Sequence, residues 1–191
     1  SANDAAQLIA EHLGNGSGEA FVASMNEKAR ALGLPTMRFY NPHGLPPDPQ
    51  RKRPENSGSA RELAFLASRL LAYPDVVRWT STEKAPFYHQ IGANKVVYLE
   101  NHNTLLGKYP GINGMKTGYT AKSMYCTTIT CTQGGRTLIA VVTGCPRGLK
   151  GGYGAARDAL VRKLLDWGYA QAPSQAQPIP AISNLPAPKK F

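Results

Sequence analysis

Two strand-like segments joined by a glycine turn stand in the second half of the chain and restrict the folds that it can adopt. Residues 124–132 are rich in threonine, residues 137–143 form a β-branched apolar run, and residues 133–136 between them include two adjacent glycines. This pattern predicts an antiparallel β-hairpin. Because the second strand is almost continuously apolar, we expect other elements to cover both of its faces.

Helical patterns stand on both sides of this hairpin. Apolar residues recur at helical spacing within residues 5–13, 21–32, 63–71 and 160–165. Ser59 and Glu62 have the spacing of a capping box at the start of the third of these segments. The order of elements predicts an α+β fold in which helices flank an antiparallel sheet and the first half of the chain adds a helical subdomain.

Two other segments have compositions that do not favour regular structure. Residues 41–49 read Asn-Pro-His-Gly-Leu-Pro-Pro-Asp-Pro, and such a run predicts a long shaped loop of the kind that often carries function. From residue 173 onward the chain is rich in proline, alanine and glutamine. We therefore predict one domain over residues 1–172 and a linker or tail over residues 173–191.

The charge of the chain favours anionic surroundings but not nucleic acid. The formal net charge is +10 and the isoelectric point is about 9.7. The basic residues are spread along the chain, and the short runs at residues 51–53 and 189–190 lack interleaved aromatic residues. We expect no nucleic-acid partner.

The sequence predicts no metal ion or other cofactor. Its cysteines and the histidines outside residues 41–49 lack the spacing of metal ligands, and an oxidised cysteine pair stays open. These residues are Cys126, Cys131, Cys145, His12, His89 and His102.

A Lys-Thr-Gly triplet lies on a predicted strand just before the hairpin. The ammonium of Lys116 and the hydroxyl of Thr117 suit a substrate carboxylate, and Gly118 allows a substrate backbone to approach closely. Taken alone, the triplet is better explained as a surface lysine beside a strand-end glycine.

A second polar motif stands at the start of the first predicted helix. Ser1 and Asn3 lie at a loop-to-helix junction that presents both side chains. The alternative is that Asn3 caps the helix, and the two roles are compatible.

Together, Ser-x-Asn at residues 1–3 and Lys-Thr-Gly at residues 116–118 resemble two of the three signatures of penicillin-recognising serine enzymes. The chain from residue 1 to about residue 170 also resembles the low-molecular-mass D-alanyl-D-alanine carboxypeptidases, a group of penicillin-binding proteins, and so implies a β-lactamase/transpeptidase-like fold. The segments that carry this resemblance, in the family's order, are residues 21–26, 31–34, 41–45, 59–62, 103–106 and 109–111.

The resemblance implies a role for each motif residue. Ser1 shuttles protons to and from the leaving group, and Asn3 hydrogen-bonds the substrate peptide. Lys116 and Thr117 bind the terminal carboxylate. Gly118 completes that substrate-binding edge.

Two further residues are expected at this site. The backbone N–H near Tyr119 contributes to an oxyanion hole, and some family members carry histidine where Tyr119 stands. His43 lines the site from its loop, although loop histidines are more often solvated or capping residues than catalytic ones.

The third signature, Ser-x-x-Lys, carries the acylated serine and precedes Ser-x-Asn in the family. The one match in this chain, Ser81 to Lys84, follows Ser-x-Asn, and Pro86 disfavours a helix starting at Ser81. We therefore expect the nucleophile to lie upstream of Ser1, in the same protein or an associated N-terminal fragment. On that expectation the domain is incomplete at its N-terminus.

The function implied by the resemblance is a serine-type carboxypeptidase that cleaves peptidoglycan pentapeptides ending in D-Ala-D-Ala and is acylated by β-lactams. Its expected location is the bacterial periplasm or cell envelope, and membrane association is left open. One alternative is a β-lactamase, disfavoured because nothing matches the deacylating glutamate loop. Another is a non-catalytic cell-wall-binding module or pseudoenzyme, suggested by the basic charge and the absent Ser-x-x-Lys segment.

Overall fold

The computed structural model describes residues 1–47, 54–88, 95–148 and 152–172. The predicted tail at residues 173–191, the basic run at residues 51–53 and His89 lie outside these described residues.

The described residues form helices and two antiparallel sheets, which confirms the predicted α+β class. One sheet has two strands, and the other has three strands in the order β3-β4-β5, so that β3 lies at an edge. The elements are α1 Asn3–Leu13, α2 Gly18–Ala31, α3 Ala60–Leu70, α4 Pro74–Thr80, β1 Lys84–Tyr88, β2 Val96–Glu100, β3 Ile112–Thr120, β4 Met124–Gln133, β5 Arg136–Cys145 and α5 Ala155–Ala170.

The predicted hairpin is confirmed as β4 and β5. Gly134 and Gly135 in its turn both have positive φ, at 53° and 76°, a backbone conformation that glycine adopts without steric cost. Helices α3 and α5 both pack against β5, and residues 138–142 are at least partly buried on both faces of the strand. The expectation that β5 is covered on both sides is therefore confirmed.

The main core lies between α5 and the three-stranded sheet. Val161 and Leu165 of α5 pack with Ile129 of β4 and Val142 of β5. Leu105, from the segment before β3, is fully buried in the same cluster. This packing fixes the position of the three-stranded sheet beside α5.

Two parts of the chain differ from the sequence prediction. Helix α4 starts at Pro74, which is tolerated at the first position of a helix because no backbone N–H is needed there, and the sheet of β1 and β2 was not predicted. Helix α1 forms as predicted, but its apolar residues Leu8, Ile9 and Leu13 are about half exposed or more. The reason is that α1 packs mainly against α2, through a face that buries Ala10.

None of the helices in the described part of the chain is long and apolar enough to span a membrane.

The capping box at the start of α3 is confirmed and extends to a second segment. Ser59 accepts from the Glu62 backbone, and the buried Glu62 carboxylate accepts from the Ser59 backbone at 3.1 Å. The same carboxylate accepts from the backbone N–H of Thr36 at 2.8 Å and from the Thr36 hydroxyl. Glu62 thus ties the start of α3 to the segment after α2.

These contacts predict an acid-sensitive contribution to stability. Hydrogen bonding, chiefly from the Thr36 hydroxyl, lowers the pKa of Glu62 from 4.5 to about 2. A carboxyl group whose pKa is lower in the folded state stabilises the fold above its unfolded pKa, and this contribution is lost as the pH falls toward about 2. As the pH is lowered from 6 to 2, the melting temperature should therefore fall more steeply for the native chain than for Glu62→Gln. The exposed Glu27→Gln is the matched control, and equal slopes for the native chain and Glu62→Gln would contradict this assignment.

Candidate active site

A cavity of about 480 Å³ opens beside the free edge of the three-stranded sheet. It brings together every residue that the sequence predicted for the site, from α1, the loop after α2 and β3. These residues are Ser1, Asn3, His43, Lys116, Thr117, Gly118 and Tyr119.

The closest contact in this cavity joins the two motifs. The Lys116 ammonium donates a hydrogen bond to Ser1 Oγ at 2.7 Å, although the residues are 115 positions apart. The same ammonium also donates to the backbone carbonyl of Thr117. Ser1 Oγ therefore accepts this hydrogen bond, and its own hydroxyl proton can point to another acceptor.

A second cation acts on Lys116 from α5. Desolvation of the ammonium, and then the positive charge of Arg157, lower the pKa of Lys116. Arg157 is buried, lines the cavity and pairs with Asp158 at 2.6 Å. Among the described residues that line the cavity, Lys116 and Arg157 are cationic and only Arg157 has a carboxylate partner, so the site favours an anionic ligand.

The packing of the described residues does not require a glycine at position 118. A Cβ added at this position would meet no heavy atom within 4 Å, and Gly118 is exposed on the strand. The glycine therefore leaves open space beside the strand, as expected if a ligand backbone lies there.

Residues 1–147 match the sequence profile of Peptidase S11, D-alanyl-D-alanine carboxypeptidase. The chain belongs to this D-alanyl-D-alanine carboxypeptidase family. The resemblance to penicillin-binding proteins, taken from the sequence, is thereby confirmed.

Among its relatives is the D-alanyl-D-alanine carboxypeptidase DacF of Bacillus subtilis, 37% identical over 171 residues, which cover 90% of this chain and 40% of the relative. Among solved structures, a D-alanyl-D-alanine carboxypeptidase from Mycobacterium tuberculosis has a TM-score of 0.73 and 30% identity, over 89% of this chain and 60% of that one. Penicillin-Binding Protein D2 from Listeria monocytogenes in the cefotaxime-bound form has a TM-score of 0.71 and 29% identity, over 88% of this chain and 61% of that one.

These likenesses confirm the predicted penicillin-binding-protein fold, which is β-lactamase/transpeptidase-like. The chain spans 40% of the length of the DacF relative and about 60% of the length of these structures.

The capping explanation for Asn3 is wrong in this family member. Asn3 is already the first residue of α1, the N-cap position is Ala2, and no side chain caps the helix. The reason is that the backbone turns into the helix one residue earlier than a capping role for Asn3 requires. Asn3 instead lines the cavity.

This geometry predicts that Asn3→Ala separates activity from stability. Because no cap is lost and alanine favours a helix interior, the melting temperature should stay the same or rise slightly. If Asn3 hydrogen-bonds the substrate, the acylation rate should fall by about 10- to 100-fold, the cost of one lost polar contact. Acylation kinetics and thermal melting on the same preparations test this, and a parallel fall in both would assign Asn3 a structural role alone.

His43 reaches the cavity from a loop held by hydrogen bonds. Asn41 Oδ1 accepts from the backbone N–H of Gly44 at 2.6 Å, and Asn56 donates to the Asn41 carbonyl at 2.9 Å. His43 Nδ1 accepts from the Leu45 backbone at 3.1 Å. A neutral His43 ring therefore carries its proton on Nε2, where it is a hydrogen-bond donor.

Tyr119 lies at the mouth of the cavity, beyond the Lys-Thr-Gly triplet. The residue is 61% exposed, and its ring lies against that of Tyr125 with the centroids 4.6 Å apart and the planes tilted by 37°. Beside it, Thr120 donates to the carboxylate of Glu55 at 3.0 Å, which ties the end of β3 to residues 54–57. The rim of the cavity is thus fixed from both sides.

Sequence reasoning missed several residues that line the cavity: some lie on β3, β4 and the turn between them, and others reach β3 only through tertiary packing. They are Gly44, Leu45, His102, Thr120, Ser123, Met124, Tyr125, Cys126, Tyr153 and Arg157. No spacing signal linked Arg157 to Lys116, since one begins a helix and the other lies on a strand 41 residues earlier. All three cysteines are free, which answers the question that the sequence left open.

Ser81 does not line this cavity, in agreement with the prediction that it is not the nucleophile. It is the C-cap residue of α4, and its hydroxyl donates to the Arg78 carbonyl at 3.2 Å. Ser81 lies in the turn that follows α4, outside any regular element, although its backbone angles are right-handed helical. Extended structure begins only at Lys84.

Proposed function

We propose that this chain supplies the substrate-binding and proton-transfer groups of a serine D-alanyl-D-alanine carboxypeptidase that acts on peptidoglycan pentapeptides through an acyl-enzyme. The observation that carries the proposal is the 2.7 Å hydrogen bond between Lys116 and Ser1, in a cavity that Asn3 and Thr117 also line. This arrangement combines a cation for a carboxylate with a hydroxyl that can transfer a proton.

The substrate is recognised through its terminal carboxylate. The Lys116 ammonium and the Thr117 hydroxyl bind this group, and the nearby Arg157 adds positive potential. The same recognition accounts for β-lactams as ligands, since they also present a carboxylate. The lowered pKa of Lys116 implies that the ammonium is lost at a lower pH than in an ordinary lysine, so acylation should decline on the alkaline side accordingly.

The attacked carbonyl lies beside the outer edge of β3. Asn3 hydrogen-bonds the peptide that precedes the cleaved bond, Gly118 gives the substrate backbone room, and the backbone N–H near Tyr119 stabilises the oxyanion. As the tetrahedral intermediate forms and collapses, the proton lost by the attacking serine is relayed through Ser1 Oγ: Ser1 gives its own hydroxyl proton to the departing amine of D-alanine and takes up a proton in its place. Lys116, which donates to Ser1 Oγ, orients this hydroxyl.

We further propose that the acylated serine belongs to a Ser-x-x-Lys segment outside residues 1–191, in the same protein or an associated fragment. Ser81 is unsuited to this role because it ends a helix away from the cavity. Water then releases the acyl group and regenerates the serine.

The reaction needs access to peptidoglycan, so we propose that the protein works in the bacterial cell envelope, and in the periplasm where an outer membrane is present. The net charge of +10 suits an anionic wall polymer. No nucleic-acid partner is proposed.

The test is a comparison of two substrates with the protein that contains this chain. A carboxypeptidase releases D-alanine from a peptide ending in D-Ala-D-Ala, and benzylpenicillin acylates it and blocks the release. Fast turnover of benzylpenicillin without peptide cleavage would instead indicate a β-lactamase. Binding of peptidoglycan without D-alanine release or acylation would indicate a non-catalytic wall-binding module.

A further inference from the structure

A second cavity, of about 380 Å³, adjoins the candidate active site beyond the Lys-Thr-Gly triplet. The two cavities share four lining residues, and a ligand can therefore extend from one into the other. The shared residues are Tyr119, Met124, Tyr125 and Tyr153.

The second cavity combines aromatic walls with one cation. Tyr119 and Tyr125 stack on each other, and the Arg147 guanidinium lies 4.7 Å from the centre of the Tyr153 ring. Of the described residues that line this cavity, Arg147 alone is charged. It forms no ion pair with any other described residue. A guanidinium stacked on a ring keeps its edge N–H groups available, and these match the two oxygens of a carboxylate.

The position of this cavity relative to Lys116 defines which part of a ligand reaches it. Strand residues rise about 3.3 Å each, so Tyr119 lies roughly 10 Å along β3 from Lys116. In a penicillin, the ring carboxylate and the amide side chain are at opposite ends of the bicyclic nucleus. A ligand whose carboxylate binds Lys116 and Thr117 therefore directs its side chain along β3 toward Tyr119 and the second cavity.

We infer that this second cavity is a specificity subsite for acyl donors whose side chain carries a carboxylate next to an apolar or aromatic group. The rings of Tyr119 and Tyr153 contact the apolar part, and Arg147 binds the carboxylate. In a peptide substrate, the corresponding group is a side-chain carboxylate that precedes the terminal D-Ala-D-Ala. This inference rests on the proposed function, because it assumes that the first cavity is the site of acylation.

Two penicillins form a matched pair of probes. Carbenicillin differs from benzylpenicillin by one carboxylate, on the carbon between the phenyl ring and the amide. The measurement is the second-order acylation rate of the protein that contains this chain, with each penicillin in turn. The variant is Arg147→Gln, and the control is Lys163→Gln, which removes an exposed cation of α5 that does not line either cavity.

Arg147→Gln should lower the carbenicillin rate about tenfold relative to the benzylpenicillin rate, since one charge-assisted contact is lost. The benzylpenicillin rate itself should change less than twofold, and Lys163→Gln should alter neither rate. An unchanged ratio, or an equal slowing of both penicillins, would overturn the assignment of Arg147 to a carboxylate subsite. Failure of the native protein to react with either penicillin would instead overturn the proposed function, and the subsite with it.

Discussion

Replacement of Lys116 by alanine should nearly abolish acylation by both a D-Ala-D-Ala peptide and a β-lactam. Each ligand presents a carboxylate, and Lys116 is the cationic side chain that also donates to Ser1 in the cavity. Loss of one preorganised charged contact from a transition state costs about 2.7–4 kcal/mol, which corresponds to a rate lowered about 10²- to 10³-fold. Single-turnover acylation with each ligand measures this effect.

Lys116→Arg and Lys163→Ala complete this experiment. The arginine variant keeps the charge but changes its shape, so it should recover part of the rate. Lys163 is an exposed lysine of α5, and its loss should leave the rate unchanged. If Lys116→Ala reacted as fast as the native protein, Lys116 would be a surface lysine beside a glycine, as the triplet alone suggested.

Replacement of Ser1 by alanine should be at least as damaging. General acid–base groups contribute about 10²- to 10⁴-fold to the rate, and in this cavity Ser1 Oγ is the hydroxyl that Lys116 orients. The loss should appear in kcat with little change in KM, because Ser1 acts on the leaving group rather than on substrate binding. Steady-state release of D-alanine provides both constants.

Ser24→Ala is the matched serine control. Its hydroxyl bonds to the Ala20 carbonyl within α2, away from the cavity, so its removal should change neither constant. A Ser1→Ala variant within threefold of the native kcat would show that proton transfer uses another group.

Local sequence patterns predicted the elements that local chemistry determines. The hairpin of β4 and β5 follows from a threonine-rich run and a β-branched apolar run on either side of Gly134 and Gly135, and the start of α3 follows from the capping pair Ser59 and Glu62. The seven predicted site residues converge because they lie at the start of a helix, in a loop or on an edge strand, where side chains reach a shared cavity.

The parts that sequence reasoning missed depend on contacts between distant segments. Arg157 reaches the cavity only because α5 packs across the sheet, and its electrostatic effect on Lys116 cannot be inferred from spacing. The exposure of Leu8 and Ile9 depends on which elements pack against α1, and the spacing of apolar residues in the sequence does not reveal this. Pro74 could be interpreted in two ways from the sequence, because proline both follows the end of one helix and is favoured at the first position of the next.

We propose that this chain lines the acylation site of a D-alanyl-D-alanine carboxypeptidase and that the nucleophile is a serine outside residues 1–191. The direct measurement is labelling of the protein that contains this chain with a fluorescent penicillin, followed by mapping of the labelled peptide. We predict one label per molecule, on the serine of a Ser-x-x-Lys segment outside these residues, formed about 10²- to 10³-fold more slowly in Lys116→Ala and at an unchanged rate in Ser81→Ala. A label on Ser81 that Ser81→Ala abolishes, or labelling of Lys116→Ala at the native rate, would contradict this proposal.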